Sequence, residues 1–217
     1  ESLSVLKEGG EWISIPLETT AEIDLLHFQN GLSTPLASIA ELEAGTYTQT
    51  RLILSEASPS RLIDFDGVEH LLKVPSGNES GLKINAPIVI ETGIERAMVI
   101  DFDLRKSIKL TANGNGNNGK YIMKPLLRLV ENKLAGSLTA AGVTGDVICV
   151  YAVDGVQDED DGCDNAIASG TVSQSMLNIS FIPAGTYNLR VFRSQIVLKD
   201  ILNVKVKEGA STKIDDI

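Results

Sequence analysis

Apolar and polar residues alternate with a period of two along most of this chain, and that period places successive side chains on opposite faces of a strand. The runs "EWISIPL" (11–17), "YTQTRLIL" (47–54), "LKINAPIVI" (82–90) and "RAMVIDFDL" (96–104) therefore predict strands. So do "YIMKPLLRLV" (121–130), "DVICVYAV" (146–153) and "YNLRVFRSQIVL" (187–198). Turn signals fall between them at Gly9-Gly10, Pro75-Ser76-Gly77, "NGNGNNG" (113–119), Gly142 and Gly170. Short strands separated by turns in this way predict an all-β chain of β-sandwiches.

Two segments read both ways. "TTAEIDLLHFQNG" (19–31) fits a helix, with Thr19 and Glu22 spaced as a capping box and Gly31 as a stop, and equally a strand through Ile23 and Leu25. "LASIAELEAG" (36–45) is open in the same way, and neither alters the fold class.

The tetrapeptide AGTY occurs in "EAGTYTQTRL" (43–52) and again in "PAGTYNLRVF" (183–192), each time ahead of an alternating run that contains an Arg. Gly45 and Gly185 are expected to take positive φ at a tight turn that launches a strand. In the later run Tyr187, Leu189 and Val191 share one face, with Asn188, Arg190 and Phe192 on the other. In the earlier run Tyr47, Gln49 and Arg51 alternate with Thr48, Thr50 and Leu52, so the inward faces need not correspond. The echo reads as a shared turn and not as an internal repeat.

A domain boundary is expected near 131–135, where the strand ending at Val130 gives way to the small-residue segment "ENKLAGSLTAAGVTG". That divides the chain into two β-sandwich domains in series, 1–132 and 133–217. Apolar residues make up 43% of the chain, enough for two cores, and the net charge is −10. The sequence holds no run of Lys and Arg, which argues against nucleic acid as a partner. No apolar run approaches the roughly 20 residues that span a bilayer, and no signal-peptide pattern is present. The sequence begins at Glu1 without a Met, so a longer precursor is expected, with any export signal or lipid anchor upstream. Cys149 and Cys163 are the only cysteines, too few for a disulfide-built scaffold.

The residues "W.SIPL…EIDLLHFQNG…LEAGTYTQTRLIL…LLKVPSGNESGLKI…VIDFDLRKSI…YIMKPLLRLV" carry a resemblance to the bacterial and archaeal domain DUF4382, a domain of unknown function, over most of residues 11–130. That resemblance implies an exported protein, often a lipoprotein of a Gram-negative cell envelope, and implies no enzyme activity. Members usually carry an opening strand ahead of the Trp-bearing strand; here that segment is expected to be mostly absent, leaving an edge that a strand from another chain would fill. The second half, through "AGSLT" (135–139), "VICVYAV" (147–153), "FIPAGTYNLRVF" (181–192) and "ILNVKVKEGASTKI" (201–214), resembles carboxypeptidase-regulatory-like, transthyretin-like (prealbumin-like) sandwiches. Such modules act as spacers, adhesive units or carbohydrate-associated appendages.

The densest chemical signal is "VDGVQDEDDGCDNA" (153–166), in which Asp154, Asp158, Glu159, Asp160, Asp161 and Asp164 put six acids in eleven residues. Ca²⁺ takes about six to eight oxygens, and Gly155 and Gly162 would let the backbone fold around it. The pattern is similar to a thrombospondin type 3 calcium repeat, although the acidic pair that normally precedes its first Gly is missing. A solvated acidic loop is the plainer reading. Cys149 and Cys163 are spaced to close this loop with a disulfide in an exported protein; two free thiols would suit a cytosolic one. Asp101 and Asp103 are two apart, hence on one strand face, where paired carboxylates either perform acid–base work or make a polar surface balanced by Arg105 and Lys106. Ser107, His27 and His70 fit no catalytic or metal motif. Trp12 is read as packing, with a sugar platform as its alternative. The leading functional reading is a non-enzymatic, exported cell-envelope module for binding, adhesion or spacing, with no required cofactor, Ca²⁺ as the one candidate ion, and a protein or glycan partner at the cell surface. The alternatives are an envelope-carbohydrate hydrolase using Asp101 and Asp103, and a strand-exchanging subunit of a surface assembly.

Overall fold

A computed structural model of the chain describes residues 2–18, 22–37, 40–111, 120–153, 162–163 and 165–215. Along the first half the strands are β1 (Ser2–Lys7), β2 (Trp12–Ile15), β3 (Gly45–Ile53), β4 (Arg61–Ile63), β5 (Glu69–Lys73), β6 (Leu82–Ile84), β7 (Ile88–Ile90) and β8 (Met98–Phe102). A single helical turn, α1 (Leu104–Ser107), precedes β9 (Ile108–Thr111), β10 (Lys120–Met123) and β11 (Leu127–Glu131). The second half holds β12 (Ala135–Ala141), β13 (Val147–Ala152), β14 (Ala168–Thr171), β15 (Met176–Pro183), β16 (Gly185–Arg193), β17 (Ile196–Val206) and β18 (Ser211–Ile214). The chain is all-β, as its alternation predicts.

It divides into two compact units. Unit 1 comprises 1–25, 34–96 and 102–129, and unit 2 comprises 26–33, 97–101 and 130–217, so residues 26–33, 97–101 and 130–132 of the first 132 belong with the second unit. In unit 2, Asn178 Nδ2 donates to the Asn30 carbonyl at 2.9 Å. Neither ambiguous segment is a long helix: its described residues show only a 3₁₀ turn at Leu25–His27 and an isolated bridge between Leu17 and Ala37.

Unit 1 contains a sheet ordered β2-β1-β3-β6, with β7 also on β3, and a second ordered β4-β5-β10-β9. A strand does precede the Trp12 strand: β1 lies between β2 and β3, and its Leu3 and Val5 are buried. Its Ser-Leu-Ser-Val core alternates like the other strands, so the place expected to be open is filled. Leu82, Ile84 and Ile88 are buried with them, and Leu72 and Met123 are the buried residues of the second sheet. Several predicted strands break where the local chemistry requires it. The run 82–90 divides at Pro87, and 121–130 divides around Pro125, because proline offers no N–H to a ladder. The run 187–198 folds back on itself through Ser194 (φ 48°) and Gln195 (φ 69°), the two positive values that a two-residue hairpin turn demands.

In unit 2 the sheets β15-β12-β18 and β14-β13-β16-β17 enclose one apolar core. Leu138, Ile148, Val150, Ile182, Leu189 and Val191 are at most 1% exposed. Tyr187, Leu189 and Val191 enter this core, as the alternation assigns them.

The AGTY echo acquires a physical meaning here. The Tyr47 hydroxyl donates to the Glu43 carbonyl at 2.9 Å, and the Tyr187 hydroxyl donates to the Pro183 carbonyl at 2.7 Å. Each phenol reaches back four residues, as in a tyrosine corner, and each ring is buried. The glycines differ. Gly45 has φ 148°, whereas Gly185 is not in the positive-φ region, contrary to the expectation for both. What Gly185 supplies is room: a Cβ there would lie 3.0 Å from the Tyr187 hydroxyl. In the first unit a ladder irregularity between Leu6 and Lys7 skips Thr48, which lets Tyr47 and Thr50 both be buried although they are three apart.

Tyr47→Phe and Tyr187→Phe keep the ring and remove the hydroxyl, so each is expected to cost about 1 kcal/mol, the usual net worth of such a bond. Urea unfolding measures it; a change within experimental error in both variants would show that the corners carry no stability.

Candidate functional site

The hairpin β4–β5 is built around one carboxylate. Across its turn the Asp64 N–H donates to the Val68 carbonyl at 3.0 Å, and the Gly67 N–H donates to the Asp64 carbonyl at 3.0 Å. Asp64 Oδ1 accepts the N–H groups of Asp66 at 3.0 Å and Val68 at 2.9 Å, the short-range bonding that makes Asp a turn residue. Gly67 takes φ 77°, which Gly does without strain. Asp64 Oδ2 lies 2.7 Å from His70 Nε2, and the His70 ring rests against Tyr121 with centroids 4.9 Å apart. The His70 hydrogen bond first, and then the Val68 and Asp66 amides, hold the Asp64 carboxyl below its ordinary value.

This bonding fixes a turn whose apolar side chains face water. Phe65 is fully exposed, and Ile63 and Leu71 are each 66% exposed on the same hairpin, with Val68 beside them. Large apolar side chains grouped on an ordered element mark an interaction surface, because leaving them in water costs free energy that folding alone does not recover. Beside them a cleft of about 370 Å³ is lined by Ala57, Ser58, Pro59, Arg61, Glu69 and Leu71. At its edge Arg61 Nη2 donates to both Glu22 carboxylate oxygens at 3.0 and 2.8 Å, and Arg61 Nη1 reaches Glu69 at 3.3 Å. An apolar centre with a charged margin is the usual anatomy of a protein recognition patch.

The sequence-derived candidates fall elsewhere. Asp154, Asp158, Glu159, Asp160, Asp161 and Asp164 lie outside the described residues. Among the described residues no group of three or more His, Cys, Asp or Glu is placed to hold a metal ion, and no helix is long and apolar enough to cross a membrane. Asp101 and Asp103 do not share a strand face: β8 ends at Phe102, and Asp103 is the N-cap of α1, its carboxylate accepting the Lys106 N–H at 3.2 Å. Ser107 is fully buried, donating to the Asp103 carbonyl at 2.6 Å and accepting the Leu126 N–H at 2.8 Å, so its hydroxyl stitches backbone. His27 sits in the 3₁₀ turn. Trp12 is half-buried with the Arg51 guanidinium 4.1 Å from its ring centroid, a cation–π contact that gives the ring a structural partner.

Cys149 and Cys163 form a disulfide, with Cα atoms 5.4 Å apart. Cys149 faces away from the main core of unit 2, where Cys163, Tyr151, Ala166 and Phe192 join it in a second buried cluster. Next to it in the ladder, the buried Arg190 makes two bonds to Asp200, Nε–Oδ1 at 2.7 Å and Nη2–Oδ2 at 2.9 Å. Such forked pairing satisfies a guanidinium that burial would otherwise penalise.

A family model described as "Domain of unknown function (DUF4382)" matches residues 1–125. No curated protein matches the sequence. Among solved structures, the TIE protein of Bacillus anthracis is similar at 17% identity and a TM-score of 0.25, with 79% of this chain and 33% of that chain covered. This chain thus spans about a third of the TIE protein's length. GBS52, the minor pilin of the Gram-positive pathogen Streptococcus agalactiae, is similar at 14% identity and a TM-score of 0.27, with 98% of this chain and 80% of that chain covered.

Two outcomes are expected. Because the folded-state value of Asp64 lies below its unfolded value of about 3.9, its contribution to the hairpin is complete above that pH and is lost as pH falls through the folded-state value. Asp64→Asn keeps an acceptor for the turn amides but removes the titration, so amide exchange of Asp66 and Val68 should lose its acid-side acceleration; an unchanged acid limb would refute the assignment. Replacing both cysteines by serine opens the cross-linked loop of separation 14 and is expected to lower stability by about 3 kcal/mol, measured by chemical denaturation of the oxidised wild type against the variant.

Proposed function

We propose that this chain, which belongs to the DUF4382 family, is a non-catalytic binding module of an exported cell-envelope protein, and that it engages its partner through the β4–β5 hairpin. The observation that carries the reading is Phe65, wholly exposed on a turn fixed by three bonds to the Asp64 carboxylate and flanked by Ile63, Val68 and Leu71. A turn whose backbone is fixed before binding loses less entropy when it docks, which is how a pre-organised element gains affinity. The disulfide supports export, since such bonds persist in oxidising compartments. The use of Asp103 as a helix cap and of Ser107 as a backbone stitch supports a structural role for the "DFDLRKS" segment.

Phe65→Asp combined with Leu71→Asp changes only exposed side chains, so the fold should melt within a few degrees of the wild type. Co-sedimentation with isolated envelopes of the cells that produce the protein should fall at least tenfold. Retention equal to that of the wild type would remove the hairpin as the binding element.

A further inference from the structure

The second sheet of unit 1 gathers cations that the sequence keeps far apart. Ile122 on β10 is paired with Lys73 on β5 and with Lys109 on β9. Paired residues share a face, and Lys120 lies two residues before Ile122 on that same face. Neighbouring strands are about 4.8 Å apart, so the three lysines surround one isoleucine within roughly 10 Å. All three are exposed, and none has an ion pair among the described residues. The face continues across β5 and β4 through Leu71 and Ile63 to the turn that carries Phe65. The opposite face holds the buried Leu72 and Met123, so the lysine face is the outward one.

This patch runs against the charge of the whole chain. With a net charge of −10, the protein as a body is repelled from anionic surfaces, and only a local cationic face can present itself to one. We infer that the Lys73–Lys109–Lys120 face, with Leu71, Ile63 and Phe65 at its margin, docks flat on a bilayer that displays anionic phospholipid headgroups. The inference rests on the hairpin reading and names the partner of that surface. Charge complementarity supplies the attraction. The adjoining exposed apolar residues favour a lipid interface over a water-soluble polyanion, which offers nothing to Leu71 or Phe65. Peripheral attachment of this kind takes two signals, cations for the headgroups and apolar groups for the acyl boundary, and this face has both.

The test uses the full chain with phosphatidylcholine vesicles and with vesicles of three parts phosphatidylcholine to one part phosphatidylglycerol, by flotation at low and high salt. Binding is expected only to the anionic vesicles and should weaken with salt. A lysine near an anionic leaflet is worth about fivefold in partitioning, so K73Q/K109Q/K120Q together should lose about a hundredfold. The control triple K199Q/K205Q/K207Q, on the second unit, should bind as the wild type does, and Phe65→Ala should weaken binding at both salt concentrations. The inference is overturned by equal binding to both vesicle types, by equal losses in the two lysine triples, or by an unaffected Phe65→Ala. Soluble heparin binding more tightly than the anionic vesicles overturns it in favour of a polyanion site. Envelope retention that depends on Phe65 and Leu71, with no affinity for either vesicle, leaves the binding-module reading standing and removes the lipid.

Discussion

A buried phenol must find an acceptor for its hydroxyl, and in both units of this protein it finds the carbonyl four residues upstream. The consequence spreads outward because β3 and β16 are interior strands: β3 pairs with β1, β6 and β7, and β16 pairs with β13 and β17. Fixing the first turn of such a strand fixes where its alternation begins, and a slip of one residue would turn Leu189 and Val191 out of the core. The two corners meet the constraint differently. One bends its backbone through a glycine of positive φ, while the other omits a Cβ so that the ring can lie over the chain.

Local features of this fold were legible, and features made by register were not. Alternation marks β13 and β16 plainly, and the AGTY turns point to the start of β3 and β16. β1 is less legible although Ser-Leu-Ser-Val alternates, because the run is short and no turn signal precedes it. Asp103 was misassigned because one spacing of two serves a strand face and a cap equally well, and only the end of β8 at Phe102 decides. The Asp-Gly pair at 66–67 is a hairpin signal that the sequence does display, but nothing local says that His70 comes round to Asp64. That contact exists because Leu62 and His70 are opposed across the ladder. The lysine cluster is less accessible still, since it depends on the parallel pairing of β5 with β10, strands separated by about a quarter of the chain.

Charge counted along the chain and charge counted over a face differ in a related way. A chain rich in acids and without a basic run argues against nucleic acid when charge is counted along the sequence. A sheet sums charge over a face, and the face of β5, β10 and β9 is cationic around Ile122 while Arg61 is offset by Glu22 and Glu69. Net charge governs long-range behaviour, whereas a contact within a Debye length senses only what is near. Arg190, buried, gives the counterpart on the second unit, its charge paired with the Asp200 carboxylate.

The Cys149–Cys163 link has a mechanical consequence for a chain under tension. Cys149 lies in β13, an interior strand of its sheet, and the cross-link joins it directly to a residue 14 positions later. Load drawn along the chain passes through the sulfur atoms and bypasses the peptide between them. A segment of that length would extend to roughly 50 Å when pulled straight, at about 3.5 Å per residue, against the 5.4 Å that separates the two Cα atoms. Tension therefore meets the ladder of β13 at once, with none of that slack to take up first.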